Sequence, residues 1–236
     1  MPFGTDFTTA RVITFDCYGT LIDWETGILS ALRPMLTSHG SELGDAETLR
    51  LYGELEAEAE AGEFRPYRQV LRSVVQGFAD RLGFQASVAE QNSLPDSLAN
   101  WRPFPDTVAA LQQLQTRFKL GIISNVDDDL FATTARQLQT KFDFVVTAGQ
   151  AQAYKPSHKI FQLAQQRIGL PVSQWLHAGQ SIYHDLVPAK ALGLRTVRVN
   201  RASARPGAGA AKEASATPDA EVATLQELAL LLAGPR

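Results

Sequence analysis

The sequence predicts an α/β fold: a doubly wound parallel sheet with an α-helical cap domain inserted after the first strand. Three observations carry this. An apolar run at 11–15 ends on a carboxylate and a glycine-containing turn, Asp16-Cys17-Tyr18-Gly19-Thr20. Residues 22–100 then show helical periodicity and almost no strand signal. From Trp101 onward helical and strand patterns alternate, which implies parallel strands joined by right-handed crossovers.

Residues 11–15 make the first strand. Inside the insertion, apolar spacing predicts helices at 27–37, 45–61, 67–82 and 88–98, with Asp45 and Ser87 as N-caps. Pro103 and Pro105 stop the helical run, because proline lacks an amide donor and clashes with the preceding turn. Helices at 106–117, 130–139, 157–168 and 185–192 then alternate with strands at 119–123, 142–147, 174–178 and 195–199. The stretch 202–218, rich in Ala, Gly and Ser, reads as a loop. Glu221 and Val222 read as an edge strand, and 225–232 as a last helix. Residues 1–21 and 101–236 thus form a Rossmann-like core domain, and 22–100 the cap domain.

Composition narrows the function. The chain has 236 residues, 44% hydrophobic and 20% charged, as a soluble globular protein does. A net charge of -3 without a basic excess argues against a nucleic-acid partner. Cys17 is the single cysteine, so no intrachain disulfide can form. Residues 1–6 lack the basic and apolar regions of a signal peptide, and no run is apolar and long enough to span a bilayer. The expectation is a cytoplasmic protein with no membrane partner.

Four polar clusters follow four predicted strands: Asp16-Tyr18-Thr20, Ser124-Asn125, Lys155, and Gln180-Ser181-Asp185. Strand ends along one edge of a parallel sheet converge in space. Together the clusters supply a carboxylate nucleophile, hydroxyl and amide donors, an ammonium and a second carboxylate. In this pattern the chain resembles the haloacid dehalogenase superfamily of hydrolases. Phe15 to Leu21 matches its first motif and Ile123-Ser124-Asn125 its second. Tyr154-Lys155-Pro156 matches the third, and Gly179-Gln180-Ser181 with Asp185 the fourth. The Asp-x-Tyr-Gly-Thr form resembles the L-2-haloacid dehalogenase branch. Asp23-Trp24-Glu25 is also similar to the L-azetidine-2-carboxylate hydrolases.

The resemblance and the chemistry imply the same roles. Asp16 is the nucleophile, forming an ester that water later cleaves. Thr20 holds its carboxylate and Lys155 keeps it ionised. Asp185 orients or activates the water. Ser124 and Asn125, with backbone amides after Asp16, bind a substrate carboxylate; Cys17, Tyr18, Ser181 and His184 complete the pocket. The cap arginine that receives halide in the dehalogenases is assigned to Arg50, although Tyr52 aligns about as well and Arg65, Arg68 and Arg72 compete. His39, His158 and His177 show no metal spacing, and Asp127-Asp128-Asp129 reads as helix capping.

The expected reaction is therefore cleavage of the carbon–halogen bond at C2 of a small 2-haloalkanoic acid. One alternative is opening of a strained cyclic 2-carboxylate such as azetidine-2-carboxylate. Another is a magnesium-dependent phosphatase, disfavoured because Tyr18 and Gln180 stand where those enzymes carry acids. A different class again is a catalytically silent binding protein. No cofactor or metal is expected outside the phosphatase alternative. The partner is a small carboxylic acid, and a homodimer through Leu49, Leu51 and Leu55 is possible.

Overall fold

The computed structural model describes residues 7–201 and 214–233. Residues 1–6, where the sequence leads one to expect no signal peptide, and most of the loop expected at 202–218 lie outside those residues. The first strand, β1, is Val12–Phe15, and all four of its residues are buried, as a central parallel strand requires. It is followed by β2 (Lys119–Ser124), β3 (Phe144–Thr147), β4 (Trp175–Gly179), β5 (Arg195–Val199) and β6 (Ala220–Val222). Their order in the sheet is β3-β2-β1-β4-β5-β6, with every neighbour parallel. Phe15 sits between Ile122 of β2 and Ala178 of β4. The order reverses at β1, which opens a crevice at the carboxyl ends of β1 and β4.

Five helices lie between β1 and the rest of the sheet: α1 (Trp24–Ser38), α2 (Asp45–Glu60), α3 (Tyr67–Leu82), α4 (Val88–Gln91) and α5 (Ser93–Ser97). A 3-10 turn at Leu98–Asn100 ends them. The single helix expected at 88–98 is two, interrupted at Asn92. Ser87 caps α4 in a reciprocal capping box with Glu90. Asp45 is the first residue of α2 rather than its cap, which is Gly44. The sheet is flanked by α6 (Thr107–Leu114), α7 (Asp128–Leu138), α8 (Ala148–Ala151), α9 (His158–Ile168), α10 (Val187–Ala191) and α11 (Leu225–Ala233). Among the described residues no helix is long and apolar enough to cross a membrane.

Side chains alternate across β1, so its two faces feed two apolar clusters. Ile13 and Phe15 join a cluster that continues into the helical layer through Ile28, Leu49, Leu55 and Val74. Val12 joins Ile123, Val146, Phe161 and Trp175 on the other face. The dimer surface expected on Leu49, Leu51 and Leu55 is corrected here: all three are buried within this packing, so they cannot meet a second copy.

The two chain segments that join sheet and helical layer run side by side. Ile22 and Pro103 form an antiparallel bridge. The Asp23 amide donates to the Arg102 carbonyl at 2.9 Å, and the Phe104 amide to the Leu21 carbonyl at 3.0 Å.

Candidate active site

Asp16 leaves β1 at the crevice and is 8% exposed. The turn after it closes on the Cys17 carbonyl, which accepts from Leu21 and Ile22 amides at 2.8 and 3.0 Å. Gly19 makes the turn possible with φ of 92°, a left-handed conformation that side chains resist. The Cys17 and Tyr18 amides take no part in the turn's own bonds. Thr20 Oγ1 donates to Asp16 Oδ2 at 2.9 Å and accepts from the Gln180 amide at 2.9 Å. The Gln180 amide can only donate, so it steers the Thr20 hydrogen onto the carboxylate.

Lys155 is 2% exposed, and its Nζ donates to Asp16 Oδ1 at 2.7 Å, Asp185 Oδ1 at 2.7 Å and the Ile123 carbonyl at 3.0 Å. All three ammonium hydrogens are thereby used. The Lys155 backbone is held at both ends by Asn125. Asn125 Oδ1 accepts from the Lys155 amide at 2.7 Å, and Nδ2 donates to its carbonyl at 3.2 Å. Asn125 also lines the inner cavity, so its side chain holds the lysine backbone at the edge of the space assigned to substrate.

Asp185 was expected to begin a helix at 185–192. Instead it lies inside a π turn, Ile182–Leu186, that precedes α10 and is capped by Ser181, whose Oγ accepts from the His184 amide at 3.1 Å. Such turns add a residue to a helix and recur at functional sites. Asp185 packs so closely on β4 that a Cβ on Gly179 would fall 2.5 Å from its Cγ. Beneath it Trp175 Nε1 donates to Thr14 Oγ1 at 2.7 Å, and Thr14 pairs with His177 Nδ1 at 2.9 Å. With Thr14 as donor in that pair, His177 carries its hydrogen on Nε2 and directs it at Asp185 Oδ1, 3.3 Å away.

The two carboxylates are in different electrostatic states. Burial and the Asp185 charge push Asp16 above the ordinary carboxylate range, more than Lys155 and Thr20 pull it down. Asp185 is held well below that range by Lys155 and His177, against the cost of burial. Lys155 is raised by its two carboxylate partners, again against burial. Burial, with the Asp16 charge behind it, pushes the Cys17 thiol well up.

Asp16, Lys155, Asp185, Ser124, Ser181 and His184 line one inner cavity of about 50 Å³. The helical layer closes it with Trp24, Glu56, Glu60 and Tyr67. It opens, past Glu56, Glu60 and His184, into an outer cavity of about 930 Å³. Tyr18 is a wall: its hydroxyl bonds Thr134 at 2.8 Å and its ring stands edge-on to Trp101. Two expected pocket residues are corrected. The Cys17 side chain is buried in the apolar cluster, not in the cavity. Arg50 is 61% exposed, paired with Glu54 at 2.5 Å on the rim of the outer cavity. Its competitors are also elsewhere. Tyr52 is buried and donates to Glu56, Arg65 reaches the Ala59 carbonyl, Arg68 pairs with Asp96 and Asp129, and Arg72 with Asn92.

Sequence reasoning missed Glu56, Glu60, Tyr67 and His177. The run Gly53-Glu54-Leu55-Glu56-Ala57-Glu58-Ala59-Glu60 reads as a solvated helix face, and nothing in it marks which glutamates turn inward. His177 had one signal: a histidine within an apolar strand must find a buried partner.

A family model described as hydrolase, haloacid dehalogenase-like hydrolase, matches residues 10–193. The chain is 24% identical over 217 residues to an (S)-2-haloacid dehalogenase of Pseudomonas sp. (strain YL), covering 91% of this chain and 90% of that protein. Over 107 residues, 42% of this chain and 44% of that protein, it is 30% identical to a glyceraldehyde 3-phosphate phosphatase of Methanocaldococcus jannaschii. Its fold matches that of L-2-haloacid dehalogenase from Xanthobacter autotrophicus with chloropropionic acid covalently bound, with a TM-score of 0.79 and 18% identity, over 96% of this chain and all of that one.

Proposed function

Because the chain belongs to the haloacid dehalogenase-like hydrolases, we propose that it displaces a leaving group from C2 of a small carboxylic acid through an ester on Asp16. The 2-haloalkanoic acids come first as substrates, since full-length relatives are named for them. One observation carries the reading: Lys155 sits 2.7 Å from both Asp16 and Asp185, with Thr20 on the remaining Asp16 oxygen. This holds one carboxylate face toward the cavity with little freedom, as attack on carbon demands.

The steps follow from the donors present. The Cys17 and Tyr18 amides and Ser124 Oγ receive the substrate carboxylate. An Asp16 oxygen attacks C2, and the leaving group departs with the bonding pair. Asp185 Oδ2, buried and without a partner, then orients water toward the ester carbonyl. With its depressed affinity for protons Asp185 is a weak base, so it accepts a proton only as the water–carbon bond forms. The ester cleaves at its acyl carbon, so the first product hydroxyl keeps an oxygen of Asp16. The reading includes a core of 1–21 and 101–236, a cap of 22–100, no nucleic-acid or membrane partner, a cytoplasmic location and no cofactor.

Single-turnover reaction in heavy-oxygen water should give unlabelled product. Asp185→Asn should accumulate added mass on the peptide containing Asp16. Solvent oxygen in the first product would falsify the covalent scheme.

A magnesium-dependent phosphatase is the second reading, favoured by the free oxygen of Asp185. The donors fit the ion poorly: both Asp16 oxygens are engaged and Gln180 is neutral where a third hard ligand is wanted. Release of phosphate from small phosphate esters, abolished by EDTA, would establish it.

A further inference from the structure

Substitution at a tetrahedral carbon expels the leaving atom on the side away from the nucleophile. Asp16 rises from the sheet, so a halide on C2 points at the helical roof of the inner cavity, made of Trp24, Glu56, Glu60 and Tyr67. With only about 50 Å³ of space, the departing atom meets that roof. No arginine or lysine of the helical layer lines this cavity. Three of the four roof groups are committed. The Tyr52 and Tyr67 hydroxyls both donate to Glu56 Oε1, at 2.8 and 2.5 Å. The Trp24 indole nitrogen stands over the turn after Asp16, 3.1 Å from where a Cβ on Gly19 would fall. Glu60 is the fourth. It is the last residue of α2, one helical turn beyond Glu56 on the same face. Its carboxyl has no hydrogen-bond partner among the described residues, and it borders both the inner and the outer cavity.

A carboxyl in this position is held as the neutral acid. The end of α2 presents unpaired carbonyl oxygens, whose partial negative charge opposes a carboxylate. No basic residue stands in the last turn of α2. Burial pushes Glu60 well above the ordinary carboxylate range and the charge of Glu56 pushes the same way, more than Lys155 pulls it down. Burial pushes Glu56 up as well, against its two phenol donors. The other titratable groups around the two cavities are Tyr154 and His184 at their border, and Asp16 and Asp185, which share Lys155.

We propose that Glu60 receives the leaving group, its carboxyl donating a hydrogen bond to the halide that Asp16 displaces from C2. This rests on the Asp16-ester reading and names the residue that completes it. The bond from an Asp16 oxygen to C2 forms, the carbon–halogen bond breaks with its pair on the halide, and Glu60 keeps its proton throughout. The ester carries no charge, so Asp185 and Lys155 then balance each other. The halide faces a neutral donor instead of a carboxylate and passes Glu60 into the outer cavity.

The test reads ester formation on Asp16 in single turnovers of the full chain with L-2-chloro-, L-2-bromo- and L-2-iodopropionate. Glu60→Leu, which takes away the donor, should slow it at least tenfold with chloride as leaving group. The loss should shrink with bromide and again with iodide, which need less stabilisation. Glu60→Gln, an uncharged donor of nearly the same shape, should keep at least a third of the wild-type rate with all three. Glu60→Leu removes a buried carboxyl, so its unfolding midpoint should not fall. Glu60→Gln as slow as Glu60→Leu would mean a working carboxylate and overturns the donor. An equal loss with all three halides would mean a structural role and does the same. Ester formation at the wild-type rate in Glu60→Leu overturns it too, while leaving the covalent reading standing. Wild-type enzyme that releases no halide overturns it as well. Solvent oxygen in the first product would remove both.

Discussion

Lys155 ties together the two carboxylates on which the site depends, and its removal is the sharpest test at the residue scale. Lys155→Met keeps the length of the stem but leaves Asp16 and Asp185 facing each other without a counter-charge. One of them then binds a proton. Activity should fall roughly 10²–10³-fold, the size of effect seen when one buried charge-stabilising donor is lost. The acid limb of the pH–rate profile reports Asp16, the proposed nucleophile. Asp16 is shifted upward by burial and by Asp185, so activity should be present above that raised value and disappear as pH falls through it. The limb should lie above the ordinary carboxylate range and move further up in Lys155→Met, as a titration of initial rates will read. Gly179→Ala is a steric counterpart. A methyl 2.5 Å from Asp185 Cγ must displace that carboxylate, costing about 1–3 kcal/mol in thermal unfolding and more than tenfold in kcat. Asp16, Thr20, Lys155 and Asp185 were legible in the sequence because each is a polar residue just past an apolar strand. Asn125 was legible as a site residue, but its hold on the backbone of Lys155, 30 positions away, was not. Glu56 and Glu60 were not, because an acidic helix face looks the same whether it meets water or a cavity.

At the scale of elements, the acidic run 127–129 shows how caps can act at a distance. Asp127 accepts from the Tyr67 and Arg68 amides at 2.8 and 2.9 Å, so it caps α3, an element of the other layer, as well as standing before α7. Asp129 meets the Arg68 guanidinium, and Asp128 accepts from Thr147 Oγ1 at 2.7 Å. Asp127→Ala should cost about 1 kcal/mol, typical of a lost cap. It should also raise KM, because Tyr67 lines the cavity. Asp127→Asn, which keeps one acceptor, should recover part of both. The run does stand at the start of the adjacent helix α7, with Asp128 and Asp129 in its first turn, but the side-chain cap of Asp127 goes to α3. Only the fold brings Asp127 to Tyr67. The π turn at Ile182–Leu186 was equally hidden, since its sequence satisfies an ordinary helical start and only the reach of Asp185 to Lys155 reveals the added residue.

At the scale of the molecule, alternating helix and strand patterns announced a parallel sheet, and the long helical stretch announced the inserted layer. The strand order was not readable, because a pattern gives each strand its faces but not its neighbours. One apolar cluster runs from β1 into α1, α2 and α3, so sheet and helical layer share buried surface. They should unfold together. Trp24 and Trp101 stand near the junction, while Trp175 belongs to the cluster on the opposite face of the sheet. Tryptophan fluorescence and far-ultraviolet circular dichroism should therefore give coincident thermal transitions. Two separated transitions would mean that the layers fold independently.

The paired segments at Leu21–Asp23 and Arg102–Phe104 place any pivot of the helical layer after the residues that aim the nucleophile. The Thr20 carbonyl accepts from Arg201 Nε at 3.0 Å and the Leu21 carbonyl from Thr107 Oγ1 at 2.9 Å, both residues outside the helical layer. The turn that follows Asp16 is thus moored to the sheet side of the molecule, and its bearing does not depend on the helices that roof it.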